Sequence, residues 1–183
     1  MPAVSRCSAA SARSTISPEP VLRRFLLFAL LPAFALGAAS AHARTLAGVV
    51  THVTDGDTIW VRSPGAADGV QVRLQGIDAP EICQPFGAQS RAALAEHVLH
   101  RPVRVTVRAT DVYGRTVGRV DLQGEDLGAW LVGRGHAWSA HYQRRAGPYA
   151  QEEAGARDAR RGLWANGSPM EPRVFRKRHG SCH

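Results

Sequence analysis

Short runs of alternating apolar and polar residues dominate the middle of the chain, and they read as strands. Residues 46–53 (LAGVVTHV) and 57–63 (DTIWVRS) flank the turn residues Thr54, Asp55 and Gly56. A Gly-, Pro- and Asp-rich turn over 63–69 leads into a third strand at 70–77. Residues 102–110 (PVRVTVRAT) alternate strictly, turning Val103, Val105 and Val107 to one face and Arg104, Thr106 and Arg108 to the other. A fifth strand follows at 116–122. Helical spacing appears at 87–99, where Ala88, Ala92, Ala95 and Leu99 share a face and Pro102 marks the exit. Two more helices are predicted at 126–134 and 148–161, the second closed by Gly162. One helix between the third and fourth strands and two after the fifth suit a small closed barrel, which leaves no exposed sheet edge. The expected class is mainly β with α (α+β), a five-stranded barrel with three helices.

The N-terminal pattern is different. Arg23 and Arg24 precede FLLFALLPAFALGAA at 25–39, and Ala41-His42-Ala43 offers a small-x-small cleavage site. The run is short for a membrane span and contains Pro32. A removed secretory signal over 1–43 is the reading, with an uncleaved anchor as its alternative. The domain then occupies 44–165, and 166–183 is a basic tail, expected along the surface or disordered. The product is expected to be secreted or periplasmic, with no stable membrane association.

Charge sharpens the picture. The 183-residue chain carries a net charge of +8. Cleavage after Ala43 removes four arginines and Glu19, leaving 19 basic and 14 acidic residues, and Lys177 is the sole lysine. Arginine grips phosphate through a planar fork, so polyanion binding competes evenly with a merely solvated basic surface. Cys83 and Cys182 remain after cleavage. An exported chain permits one disulfide between them, which would tie the tail beside Glu81; two separate thiols and a free tail are nearly as well supported.

Acids in so basic a chain need an explanation. Asp57 opens a strand, Asp78 closes another, and Pro80 restricts Ala79 to extended backbone and so directs Glu81. Two carboxylates, a backbone carbonyl and waters make a hard-oxygen site for Ca²⁺ or Mg²⁺. An EF-hand is excluded, since Ile59 and Ala66 stand where oxygen ligands belong. Arg73 leads into Asp78, and Arg115 closes the turn DVYGR at 111–115. A divalent ion, two arginines and a free carboxylate suit phosphodiester hydrolysis. The eight histidines form no HExxH, and there is no paired CxxC set. Trp130, Leu131, Leu163 and Trp164 read as helix-packing core.

In order and spacing, DGDTI, RLQGIDAPE, DVYGRTVGRV, LVGRGHAW and ARRGLW resemble the staphylococcal nuclease (thermonuclease) family over roughly residues 46–165. The resemblance implies an OB-fold barrel and a Ca²⁺-dependent endonuclease acting on DNA and RNA, single strands preferred, as a monomer with 3′-phosphate products. It carries Asp57, Asp78 and the Ala79 carbonyl to the metal, Glu81 to the general base, Arg73 and Arg115 to phosphate, and Tyr113 to the substrate phosphate. In HAWSAHYQRR, at 136–145, the candidates to stack on a base are Trp138, His141 and Tyr142, with Tyr142 taken alongside Tyr113. The alternative is a non-catalytic OB-fold nucleic-acid-binding module, which would be free to lose some of these residues.

Overall fold

The computed structural model describes residues 44–143 and 145–182. The signal segment expected over 1–43 lies outside the described residues. Five strands close a barrel: β1 (Thr45–Asp55), β2 (Thr58–Arg62), β3 (Val70–Leu74), β5 (Pro102–Thr110) and β6 (Thr116–Leu122). All neighbours run antiparallel except β3 and β6, whose parallel pairing closes the circuit. The alternation expected of β-branched strands holds, with Val50, Ile59, Val61, Val72, Val105 and Val120 buried and Arg104 and Arg108 exposed. Burying each such side chain contributes about 1.5–3 kcal/mol, so the barrel interior carries most of the apolar stabilisation.

Two short pairings sit outside the barrel wall. The third predicted strand does not run unbroken to Ile77. It stops at Leu74, turns at Gly76 in left-handed backbone, and resumes as β4 (Ile77–Asp78). β4 pairs with β8 (Trp138–Ser139), seating Asp78 opposite Trp138. β7 (Glu125–Asp126) extends the hairpin after β6 and delivers Asp126 as the N-cap of α2 (Leu127–Gly133), where its carboxylate accepts the Gly128 N–H.

Helix α1 (Gly87–Val98) buries Gly87, Ser90, Leu94 and Val98, while Ala88 and Ala92 of the expected face are exposed. Both faces repeat at helical spacing. Bulk decides between them, because Leu94 and Val98 remove far more apolar surface from water than alanines do. Helix α3 (Ala150–Asp158) ends before Gly162, which instead opens a 3-10 turn, Gly162–Trp164. Trp138, Ala156, Leu163 and Trp164 form a second core cluster, with Phe86 packed against it and the Trp138 and Trp164 rings edge to face at 5.4 Å.

The tail departs from expectation in containing a fourth helix, α4 (Pro172–His179). Of the two readings of the cysteines, the structure has the disulfide, Cys182 bonded to Cys83.

Tyr149 joins the two halves of the helical layer. Its hydroxyl donates to both Asp126 oxygens, at 3.2 and 3.0 Å, while its N–H donates to Ser139 Oγ. Burial and the Asp126 charge push its pKa from 10.0 up to about 12. A raised folded-state pKa contributes stability that is complete below the unfolded value and is lost as pH rises through the folded one. Tyr149→Phe should therefore cost about 1–3 kcal/mol at neutral pH. It should also remove part of the alkaline destabilisation between 10 and about 12, measured by urea unfolding across pH.

Candidate active site

The site grows from one strand register. β2 and β3 pair Thr58 with Arg73, and the Leu74 N–H donates to the Asp57 carbonyl at 2.8 Å. Asp57 thus faces the Arg73 guanidinium at one end of the barrel, and the two form an ion pair. Asp57 is only 6% exposed, yet its carboxylate is satisfied. Oδ1 accepts from the Thr58 hydroxyl at 3.0 Å, and Oδ2 accepts the Ala79 N–H at 2.9 Å. That last bond ties the Asp57 turn to the Asp78–Ala79 segment. The second nitrogen of Arg73 donates to Asp78 Oδ1 at 3.2 Å, so one guanidinium spans both carboxylates.

The backbone around these acids is tightly packed. A methyl group at Gly56 would lie 2.1 Å from Ser90 Oγ and 2.7 Å from Ala79 Cβ. Ser90 has little room to yield, since its hydroxyl donates to the His136 carbonyl at 2.7 Å. After Pro80 the chain folds into a compact turn. The Glu81 N–H donates to Gln84 Oε1 at 3.2 Å, and the Gln84 N–H donates to the Glu81 carbonyl at 2.8 Å. A Cβ at Gly87 would fall 1.9 Å from the Glu81 carbonyl oxygen, so only glycine lets α1 start this close to Glu81. Phe86 holds left-handed backbone, φ 73°, to deliver its ring to the Trp138 cluster.

Electrostatics follow from burial. The Asp55 carboxyl is pushed up to about 7, first by burial and then by the adjoining Asp57 charge. Its Oδ1 accepts the Asp57 N–H at 3.0 Å. Asp78 is also raised, burial outweighing Arg176 and Arg73. For Arg73, burial works against the charge, but Asp57, Asp78 and Asp55 outweigh it and the pKa rises. One buried and two half-buried acids around Arg73 form a site with room for more positive charge.

The structure unites Asp57, Arg73, Asp78, Ala79 and Glu81. Arg115 is not brought onto the carboxylates; its Nε donates to Asp111 Oδ2 at 2.7 Å. It precedes β6, whose Val117 pairs with Arg73, so it enters from the neighbouring strand. Tyr113, 80% exposed, lies 5.3 Å from the Arg115 guanidinium. Tyr142 is 75% exposed in the loop after β8, whereas Trp138 is buried and has no face free for a base. A cavity of about 210 Å³ opens beside the acids, lined among others by Arg73, Asp78, Trp138, His141 and Arg176.

Two participants escaped sequence reasoning. Asp55 read as an ordinary turn acid, the usual role of Asp before Gly. Arg176 lay in a run of basic residues with no local signal. Its Nη1 donates to Asp78 Oδ1 and Glu81 Oε1 at 3.2 and 2.7 Å, and its Nη2 to Asp78 Oδ2 at 3.0 Å.

Barrel topology and charged rim define an OB-type domain with an acid–arginine site at one end. A family model described as "Staphylococcal nuclease homologue" matches residues 71–166. An "Uncharacterized endonuclease" of Haemophilus influenzae is 33% identical over 155 residues, 85% of this chain and 86% of that protein. A "Micrococcal nuclease" of Shigella flexneri is 36% identical over 142 residues, covering 71% of this chain and 80% of its own. A probable staphylococcal-like nuclease of Oryza sativa is 36% identical over 107 residues, which make up only 29% of its length. The chain belongs to the staphylococcal nuclease family.

Gly56→Ala should force the Asp57 turn away from Ala79 and Ser90. The expected loss is about 1–3 kcal/mol in urea unfolding, the usual cost of overpacking. An unchanged midpoint would contradict the close approach described above.

Proposed function

We infer that the protein is a nuclease, an exported Ca²⁺-dependent endonuclease that hydrolyses phosphodiester bonds of DNA and RNA, favouring single strands and leaving 3′-phosphates. The observation that carries this reading is the joining of Asp57 and Asp78 through Arg73, with Glu81 on the next turn. Arginines beside buried acids answer the needs of a phosphodiester, whose charge grows as a water attacks phosphorus.

The donor set fits a hard divalent ion. Asp57 and Asp78 offer carboxylate oxygens, and the Ala79 N–H bond to Asp57 keeps the Ala79 peptide beside them. Among the described residues no three His, Cys, Asp or Glu side chains form a metal-binding group. Asp57, Asp78 and the Ala79 carbonyl would hold the ion, with water and substrate oxygens completing a loose shell. When bound, Ca²⁺ supplies positive charge that stabilises the phosphoryl oxygens.

The chain's own groups do the rest. Glu81 accepts the proton of the attacking water, whose oxygen bonds to phosphorus as the bond to the 5′ oxygen breaks. Arg73 and Arg115 neutralise the phosphoryl oxygens, their planar forks gripping most tightly as charge builds there. Tyr113 is exposed beside Arg115, suited to the substrate phosphate, and exposed Tyr142 is suited to stacking on a base, which is the basis for preferring unpaired substrate. The Cys83–Cys182 disulfide and the apolar segment before residue 44 support an oxidising, extracytoplasmic destination.

Purified protein should cleave single-stranded DNA in Ca²⁺, lose activity in chelator, and regain little in Mg²⁺, whose near-octahedral demands this set meets poorly. Equal turnover in Mg²⁺ alone would contradict the assignment of the ion. Glu81→Gln should lower kcat by about 10²–10⁴-fold at saturating Ca²⁺, the range of general base catalysis. A wild-type rate would place the base elsewhere.

A further inference from the structure

Arg176 lies beyond the residues that the family model matches, yet it makes three hydrogen bonds to Asp78 and Glu81. Among the described residues it is the sole side chain bonded to the Glu81 carboxylate. Asp78 closes β4 and Glu81 follows Pro80, three residues on, and a single planar guanidinium spans the two acids. Without it, Glu81 would be free to sample several rotamers beside a like charge.

The helix that carries Arg176 is anchored at both ends. Before α4, the Met170 carbonyl accepts a hydrogen bond from Gln84 Nε2 at 2.6 Å. After α4, Cys182 is bonded to Cys83. Both anchors return to the Glu81 turn, and Gln84 itself accepts the Glu81 N–H. A segment meant to leave the site would not be fastened to it on each side.

We propose that Arg176 is a positioning residue for the nuclease reaction, holding Glu81 and Asp78 in register through a helix that the Cys83–Cys182 disulfide fastens to the same turn. This rests on the nuclease reading above. The contact aligns the proton acceptor and a candidate metal carboxylate without touching substrate.

The test compares Arg176→Ala, Arg176→Lys and Cys182→Ser with wild type on single-stranded DNA in saturating Ca²⁺. Arg176→Ala should lower kcat by about 10–100-fold, the usual consequence of removing a group that orients a site ligand, with KM little changed. Arg176→Lys should recover part of the loss, and Cys182→Ser should fall between Ala and wild type. Amide hydrogen exchange without metal or substrate supplies an activity-independent readout. Exchange at residues 81–84 should quicken in Arg176→Ala and Cys182→Ser while the barrel strands stay protected. Faster cleavage by Arg176→Ala would show that the arginine plugs the site, overturning the proposal. So would a raised KM at constant kcat, which marks a substrate contact, or unchanged kinetics and exchange. If Arg176→Ala does not fold, Arg176→Lys and Cys182→Ser decide by the same criteria. Wild type inert in Ca²⁺ defeats the nuclease reading, whereas active wild type with indifferent variants defeats this inference alone.

Discussion

Acids packed at one barrel rim repel one another, and the molecule resolves that repulsion by alternation. Asp57, Arg73, Asp78, Arg176 and Glu81 form a continuous chain of opposite charges, each in contact with the next. Every link comes from a different part of the fold: the β1–β2 turn, β3, β4, α4 and the turn after Pro80. The barrel, the β4–β8 pairing and the C-terminal helix converge on this rim, and the alternation makes their convergence electrostatically tolerable.

Such an array does little for stability. Each buried ion loses hydration, and the attraction recovered in a partly buried setting often fails to exceed that loss. The apolar interior carries the fold, from Val50 through Ile59, Val72 and Val105 to Leu131. Asp55, pushed up to about 7 first by burial and then by the Asp57 charge, carries the cost of placing a carboxylate at this rim. A fold selected only for stability would replace these acids with apolar residues. Their presence fits the nuclease reading proposed above, in which the rim would take a cation and a phosphate.

Much of this was legible in the sequence because it is written locally. Asp57 and Asp78 stand at strand ends marked by glycine and proline, and the alternation in PVRVTVRAT placed Val103 and Val105 inside. What resisted reading depends on tertiary contact. The alanine face of α1 repeats as regularly as the face with Leu94 and Val98, so periodicity alone does not separate them, and the bulkier face is the one packed on the core. Asp55 looks like any turn acid until neighbouring elements bury it. Arg176 is one basic residue among several in PRVFRKRH, and its partnership with Glu81 exists because α4 folds back across 95 positions of sequence. The sequence allows both a Cys83–Cys182 bond and two separate thiols, and only the fold, which brings the pair together, decides for the bond.

The disulfide imposes an order of events on biosynthesis. Cys83 and Cys182 are separated by 99 positions, a span that includes α1, β5, β6 and every later helix. A ribosome that has released all five barrel strands has still not delivered Arg176. Until α4 is made, Glu81 and Asp78 lack the cation that bridges them, and until the two sulfurs are joined that helix is fastened only at its Met170 end. The rim is therefore the last part of the molecule to be finished, and the disulfide is the step that closes it.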